Sequence, residues 1–74
     1  MIKVGQVYNS DEGIFTISKL WVNISEDEDM AYVIYNDGCS DCWSHRFISK
    51  YSKLLAEYPT WQEAVNSKEF NNER

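Results

Sequence analysis

The sequence is poor in the residues on which most catalytic and cofactor sites depend. It contains one histidine, two cysteines, one proline and three glycines in 74 residues. The glycines stand alone at positions 5, 13 and 38, so no glycine-rich loop is present to hold a phosphate. His45 has no serine, cysteine and carboxylate partners at a recognisable spacing, and no oxyanion-stabilising motif is visible. We therefore expect no enzymatic activity and no cofactor.

Long apolar runs are also missing. No stretch approaches the roughly eighteen apolar residues that a membrane-spanning helix needs. Met1-Ile2-Lys3 is followed at once by polar residues, where a signal peptide would carry its apolar segment. Two cysteines without a secretion signal indicate a reducing compartment. These absences predict a cytoplasmic protein that does not enter a membrane.

Basic residues are few and unevenly distributed. The chain has seven bases and twelve acids, a net charge of −5 and a pI of about 4.6. Residues 1–43 carry eight acids and two bases, whereas residues 44–74 carry four acids and five bases. The negative potential opposes nonspecific binding of nucleic acids, which depends on neutralising phosphates. It suits a basic protein surface, although the simpler interpretation is that the charge keeps the domain soluble.

Aromatic residues are abundant by contrast. The chain has three tryptophans, five tyrosines and three phenylalanines. Its length corresponds to a single domain over residues 1–74, and a domain of this size buries only roughly 60% of its unfolded surface. Each aromatic ring buries roughly 150–250 Å², so an aromatic core compensates for the small size. A domain this small is not expected to bury every ring, and exposed rings are typical of protein contacts.

Apolar alternation and β-branched composition predict four strands, and an Asp-Gly turn predicts a hairpin. Gly5 interrupts the first strand and indicates a kink or bulge there. Asn36-Asp37-Gly38 is a strong hairpin turn signal. The acidic run over residues 25–29 lacks the glycine of a calcium loop and is interpreted as a solvated loop. The predicted strands span about 2–9, 14–24, 30–36 and 39–44.

The periodicity becomes helical after the fourth strand. Apolar residues recur at spacings of one, three and four, which predicts a helix over about 46–53, with Ser44 as its cap. Residues 53–58 either continue this helix or form a short closing strand. Thr60-Trp61-Gln62-Glu63 forms a capping box and predicts a second helix over about 61–66. Four strands followed by helices indicate an α+β fold. The expected architecture is a small antiparallel SH3-like β-barrel or a curved four-to-five-stranded meander with a C-terminal helix.

The cysteines form a C-x₂-C sequence that His45 extends. Two thiolates at this spacing can bind zinc when both sulfurs face one point. In a regular strand, however, Cys39 and Cys42 point to opposite faces, and no second cysteine pair is present. A redox pair normally lies at a helix N-terminus, whereas this pair follows a hairpin turn. We therefore favour no metal site; if one exists, its ligands are Cys39, Cys42 and His45.

Basic residues beside aromatic ones form the other candidate site. Arg46, Lys50 and Lys53 fall on one face of the predicted helix. A barrel that combines such bases with stacked rings binds single-stranded nucleic acid, although the same pattern is typical of the solvated side of an amphipathic helix. Exposed aromatic rings favour a protein or peptide contact instead. The candidate binding residues are Trp43, Arg46, Lys50, Lys53, Trp21 and Tyr35.

Three segments resemble a group of phage proteins. They are V-G-Q-V-Y at 4–8, W-S-H-R-F-I-S-K-Y at 43–51 and Y-P-T-W-Q-E-A-V at 58–65. Together they resemble small uncharacterised proteins of bacteriophages and prophages of Gram-positive bacteria. Those proteins often open with a G-x-x-[YW] strand and later carry a tryptophan followed by R-F-x-x-[YF]. The resemblance implies a small, non-enzymatic accessory domain in the cytoplasm and carries no catalytic motif.

These observations lead to one main functional prediction. The chain is expected to be a non-enzymatic binding module with a protein partner, one form of which is a phage-encoded modulator of a host protein. The alternatives are a single-stranded nucleic-acid-binding barrel and a zinc-stabilised small domain. Pairing of exposed edge strands would make a homodimer, and the sequence leaves the oligomeric state open.

Overall fold

The protein folds as a five-stranded antiparallel sheet with two short helices. The computed structural model describes residues 1–72. The strands are β1 (Gln6–Ser10), β2 (Gly13–Asn23), β3 (Glu28–Tyr35), β4 (Ser40–Ser44) and β5 (Ser52–Glu57), and the helices are α1 (His45–Tyr51) and α2 (Trp61–Val65). The predicted α+β class is therefore confirmed. Within residues 1–72, no helix is long and apolar enough to cross a membrane.

The strands lie in the order β4-β3-β2-β1-β5. The first four strands form a meander in which each pairs with the next, and α1 then carries the chain to the far edge, where β5 pairs with β1. Helix α1 contacts β3, β4 and β5. Within the described residues β4 and β5 do not pair. Of the two predicted architectures, the sheet is therefore not a closed β-barrel but an open antiparallel sheet of five strands.

Each face of the sheet carries its own apolar cluster. The first cluster includes Phe15, Ile17 and Val33 and is covered by Ile48 of α1. The second includes Val7 and Ile14 and is covered by Ala64 of α2 and by Phe70. Because adjacent strand residues point to opposite faces, β2 contributes Ile14 to one cluster and Phe15 to the other. The sheet is thus the middle layer of three.

Two register shifts bend the sheet. One lies between Ile17 and Lys19 of β2, and the other lies opposite Leu55, between the pairs Val7–Ala56 and Tyr8–Leu54. An extra residue in one strand increases the local twist and bends the strand. The sheet is therefore expected to bend at β2 and at the β1–β5 pair.

The first strand begins later than predicted. Residues 2–5 lie outside the sheet, and β1 starts only at Gln6. Gly5 has φ +93°, a backbone conformation that strand residues do not adopt. Its N–H donates to the carbonyl of Ile17 at 3.0 Å, and its carbonyl accepts from the N–H of Tyr58 at 3.0 Å. Gly5 therefore forms a corner that ties the N-terminal segment to β2 and to the end of β5.

The structure also corrects the predicted helices and acidic loop. The predicted helix over 46–53 ends at Tyr51, because Ser52 and Lys53 pair with β1 as part of β5. Residues 53–58 therefore belong mainly to a closing strand. The acidic run over 25–29 is only partly a loop, since β3 starts at Glu28 and extends the hairpin with β2. Helix α2 ends at Val65, one residue before the predicted end.

Candidate binding site

A series of aromatic rings runs from the core of the sheet to its surface. Phe15 is 1% exposed and lies between the ring of Tyr8, whose centroid is 5.5 Å away, and the ring of Tyr35 at 5.4 Å. The Tyr8 and Phe15 rings are stacked, whereas Tyr35 meets Phe15 edge-on. These are the favourable geometries for aromatic pairs, so the inner rings are fixed in place.

Trp43 connects this inner series to helix α1. Its indole Nε1–H donates to the hydroxyl of Tyr35 at 2.9 Å. On its other side the indole stacks on Phe47, with centroids 4.5 Å apart and planes 16° apart. Phe47 in turn lies 4.8 Å from Tyr51. Residues four apart on a helix lie on one face, so the short helix presents Phe47 and Tyr51 together.

The cap of α1 determines where these two rings lie. The side chain of Ser44 accepts a hydrogen bond from the N–H of Phe47 at 3.1 Å. This bond starts the helix immediately after β4 and satisfies one of its free backbone donors. On the buried side of the helix, Ile48 is completely enclosed in the first apolar cluster. The cap and this anchor leave Phe47 and Tyr51 outside, at 37% and 56% exposure.

The rings border an open cavity of about 160 Å³ between α1 and the turn that joins β1 to β2. A cavity of about 150 Å³ holds one benzene ring, whereas small-molecule sites usually measure about 300–1,000 Å³. The cavity therefore has room for one side chain. We call it the aromatic pocket, and its aromatic lining consists of Phe15, Tyr35, Trp43, Phe47 and Tyr51.

Two carboxylates stand at the edge of the aromatic pocket. Asp11 and Glu12 form the turn between β1 and β2 and line the cavity. Ser10 holds this turn, because its hydroxyl donates to the carbonyl of Gly13 at 2.9 Å and accepts from the N–H of Glu12 at 3.2 Å. Both acidic side chains are exposed, and in the part of the chain that the structure describes neither forms an ion pair. We call Asp11 and Glu12 the acidic rim.

Carboxylates near the aromatic pocket affect the pKa of the Tyr35 hydroxyl. Burial raises the pKa of Tyr35, and the nearby carboxylates of Asp41, Glu12 and Asp37 raise it further, against the opposite effect of the hydrogen bond from Trp43. Each carboxylate disfavours a second negative charge on the phenol. The same field favours a positive charge placed beside the rings.

The structure brings only two of the six predicted binding residues into this pocket. Tyr35 and Trp43 line it. Trp21 lies on the β2–β3 hairpin and stacks on Tyr32, with centroids 5.7 Å apart, so it belongs to a different surface. The predicted basic stripe of Arg46, Lys50 and Lys53 is also divided between two elements. Arg46 and Lys50 lie on α1, whereas Lys53 lies in β5, where it pairs with Asn9 of β1.

The other two residues of the predicted stripe, Arg46 and Lys50, each contact a neighbouring side chain. Arg46 forms an ion pair with Glu28 at 2.6 Å. The ammonium group of Lys50 lies 5.4 Å from the centroid of the Tyr51 ring. Arg46 and Lys50 nevertheless line one shallow depression together with Phe47 and Tyr51, and Lys53 is not among its lining residues.

Sequence reasoning missed three rings and the acidic rim. Phe47 and Tyr51 had a local signal, since each follows the preceding aromatic residue of the series by four positions. No local signal marked Phe15, Asp11 or Glu12. These residues come close to α1 only because the strands of the sheet pair.

The two cysteines and the histidine lie apart from one another. Among residues 1–72, no group of three or more histidine, cysteine, aspartate or glutamate side chains is arranged to hold a metal ion. Cys39 precedes β4, and a hydrogen bond to Asp37 raises the pKa of its thiol. Cys42 lies within β4 opposite Tyr32. His45, the first residue of α1, borders a depression that Trp21 and Asp29 also line. The conditional zinc ligands Cys39, Cys42 and His45 are thus not assembled.

Comparison with known proteins found no matching protein-family model, no matching curated protein and no matching solved structure.

Proposed function

We propose that the chain is a non-enzymatic binding module that contacts a protein partner through the aromatic pocket. The observation that carries this proposal is the exposure of Phe47 and Tyr51 beside an open cavity that no side chain of residues 1–72 fills. Tryptophan and tyrosine are enriched among the residues that dominate binding energy at protein interfaces. Here Tyr35 and Trp43 are held by their mutual hydrogen bond, so little side-chain entropy would be lost on binding.

The size and shape of the cavity favour a peptide side chain over a small-molecule substrate. Its volume of about 160 Å³ matches one side chain. A sheet bent by two register shifts and an aromatic groove beside an acidic turn also agree with an SH3-like arrangement, and such domains bind peptides in aromatic-lined grooves. We propose this arrangement as the architecture that presents the pocket.

Single-stranded nucleic acid is the second candidate. Tyr51 is more than half exposed and has Lys50 over its ring, and exposed rings beside bases are typical of surfaces that stack nucleotides. Two features oppose it. Arg46 is paired with Glu28, and the acidic rim would repel phosphates that approach the rings. The protein partner is therefore the better-supported hypothesis.

The proposed biological setting follows from the sequence resemblance. A small acidic domain of a phage or prophage that acts in the host cytoplasm would meet host proteins there. We propose modulation of one such protein as its role, through contact and without catalysis.

Capture experiments with matched variants test the proposal. Phe47→Ala combined with Tyr51→Ala removes the outer rings of the pocket, whereas Tyr32→Ala removes a comparably exposed ring on another surface. We expect a partner from a Gram-positive host lysate to be retained by the unaltered protein and by Tyr32→Ala, and to be lost with the double variant. Circular dichroism checks that each variant is folded.

Two results would contradict the proposal. Retention of the same proteins by the double variant would show that the pocket is not the contact surface. Quenching of tryptophan fluorescence by oligo(dT), abolished in the double variant, would favour the nucleic-acid alternative instead.

A further inference from the structure

We infer that the group that enters the aromatic pocket is a cationic side chain, arginine or lysine, from a flexible basic segment of the partner. This inference rests on the proposed function and specifies the chemistry of the occupant. It follows from three properties of the same cavity: its size, its aromatic faces and its unpaired carboxylates.

The aromatic faces supply the first attraction. A cation within about 6 Å of a ring centroid is attracted by the negative face of the ring, most strongly for tryptophan. The pocket combines Trp43 with Tyr35, Phe47 and Tyr51 in one lining. Tyr51 already has a cation of its own chain nearby, since the ammonium group of Lys50 lies 5.4 Å from its centroid. Tyr51 thus already makes this type of contact, and its ring also lines the pocket.

The acidic rim supplies the second attraction. In residues 1–72 the sole ion pair joins Arg46 to Glu28, which leaves Asp11 and Glu12 without a cation. Asp37 and Asp41 add to the negative field at the Tyr35 hydroxyl. A guanidinium group lying on the rings would meet the two rim carboxylates, and a planar fork of N–H donors matches carboxylate oxygens well.

The cavity size determines how the segment binds. About 160 Å³ holds one side chain, so the backbone of the segment stays outside. Additional basic residues of the segment are then attracted by the net negative charge of the chain. A flexible segment is favoured because it can insert one side chain without carrying a bulky fold into the space between α1 and the β1–β2 turn.

Peptide titrations test the charge requirement directly. The probes are short Gly/Ser peptides that carry several arginines, several lysines, or citrulline in place of each arginine. Citrulline has nearly the shape of arginine but no charge. Binding is followed by NMR through the indole N–H of Trp43, with Trp21 and Trp61 as internal references outside the pocket. We expect the arginine peptide to bind about tenfold more tightly than the citrulline peptide, a ratio that corresponds to about 1.4 kcal/mol.

Paired charge variants test the acidic rim. Asp11→Asn with Glu12→Gln is compared with Glu26→Gln and Asp27→Asn, which change the net charge equally but lie in the β2–β3 turn. We expect the rim variant to lose about tenfold in affinity for the arginine peptide and most of its salt dependence. The β2–β3 turn variant should retain both. Phe47→Leu with Tyr51→Leu should reduce the preference for arginine over citrulline while keeping the fold, because the acidic rim and the rings of Trp43 and Tyr35 remain.

The outcomes separate this inference from the proposed function. If a partner depends on Phe47 and Tyr51 but citrulline binds as tightly as arginine, or the rim variant binds normally, the cationic occupant is wrong and the binding module stands. If the double variant Phe47→Ala with Tyr51→Ala captures the same partner as the unaltered protein, and no peptide shifts the Trp43 resonance, the proposed function itself fails. A lysine peptide equal to the arginine peptide supports a general cation, and a weaker one supports a guanidinium; both agree with the inference.

Discussion

Replacement of Gly5 by alanine tests the corner that joins the N-terminal segment, β2 and β5. A Cβ atom at Gly5 would lie 2.1 Å from the carbonyl oxygen of Tyr58, 3.1 Å from its carbonyl carbon and 3.3 Å from the carbonyl carbon of Thr60. All three are backbone atoms, so no side chain can rotate away to relieve the contact. Gly5 also has φ +93°, which disfavours any residue with a Cβ.

The expected loss of stability follows from the positive φ of Gly5 and from the steric contact with the Tyr58 backbone. The left-handed backbone conformation costs roughly 1–2 kcal/mol for alanine. Forcing atoms into a packed region costs roughly 1–3 kcal/mol more, and the hydrogen bond from the N–H of Tyr58 to Gly5 is strained in the process. We therefore expect Gly5→Ala to lower the free energy of unfolding by about 2–5 kcal/mol. A domain of this length has roughly 4–11 kcal/mol in total, so the variant loses a large part of its stability.

Gly38→Ala is the matched control. Gly38 has nearly the same φ, +95°, but a Cβ there would have no atom within 4 Å. It should therefore lose only the backbone term of roughly 1–2 kcal/mol. Urea unfolding followed by tryptophan fluorescence gives both free energies, and equal slopes would validate the comparison. Equal losses in the two variants would refute the reasoning, because the contact with the Tyr58 backbone would then contribute nothing.

Three other predictions concern the Ser44 cap of α1 and the hydrogen-bonded side chains of Tyr58 and Cys39. Ser44→Ala removes the cap of α1 and should lower the free energy of unfolding by about 1 kcal/mol in urea titrations; no loss would mean that the cap does not hold the helix. The hydrogen bond from Tyr58 to Glu69 raises the pKa of Tyr58 above 10.0 and lowers the pKa of Glu69 below 4.5. Its stabilisation should therefore be full at neutral pH, be lost as acid protonates Glu69 through its lowered pKa, and be lost again as alkali ionises Tyr58 through its raised pKa. The stability difference between the unaltered protein and Tyr58→Phe should shrink at both extremes, and a difference independent of pH would contradict this. Because a hydrogen bond to Asp37 raises the pKa of the Cys39 thiol, Asp37→Asn should speed its alkylation by iodoacetamide, measured by mass spectrometry against the other cysteine.

The parts of the fold that local chemistry determines were predictable from sequence. The Asn36-Asp37-Gly38 turn, the Ser44 cap and the Thr60 cap all depend on residues within a few positions of each other. Thr60, for example, accepts from the N–H of Glu63 at 3.1 Å, which is one of the two hydrogen bonds of a capping box. The α+β class follows from the same local patterns, because alternation and helical spacing are properties of short windows.

The errors occur where distant pairing overrides a local pattern. The apolar spacing from Phe47 continues through Leu54 as if one helix ran on, which is why Lys53 was predicted on a helical face. In the structure Lys53 stands opposite Asn9 and Leu54 opposite Tyr8. Strand pairing satisfies the backbone of both segments and completes the sheet, and tertiary context of this kind commonly outweighs intrinsic propensity.

For the same reason, the sequence predicted only part of the lining of the aromatic pocket. Trp43 and Tyr35 stand near the hairpin turn, and their aromatic character made them candidates. The acidic rim became part of the site only because β1 and β2 pair and bring their turn close to α1. No single-sequence signal connects Asp11 with Phe47, since their place in one pocket depends on the order of strands in the sheet.

The position of the pocket also gives the uneven charge of the chain a physical role. The first 43 residues hold most of the negative charge and the next segment holds Phe47 and Tyr51. The acids need not form a separate surface, because the β1–β2 turn places two of them directly beside the rings of α1. A ring left in water forfeits roughly 25 cal/mol for every Å² that it fails to bury, and an unpaired carboxylate beside it makes the site attractive to one kind of occupant. Both features would be explained by a single cationic side chain that covers the rings and neutralises the rim.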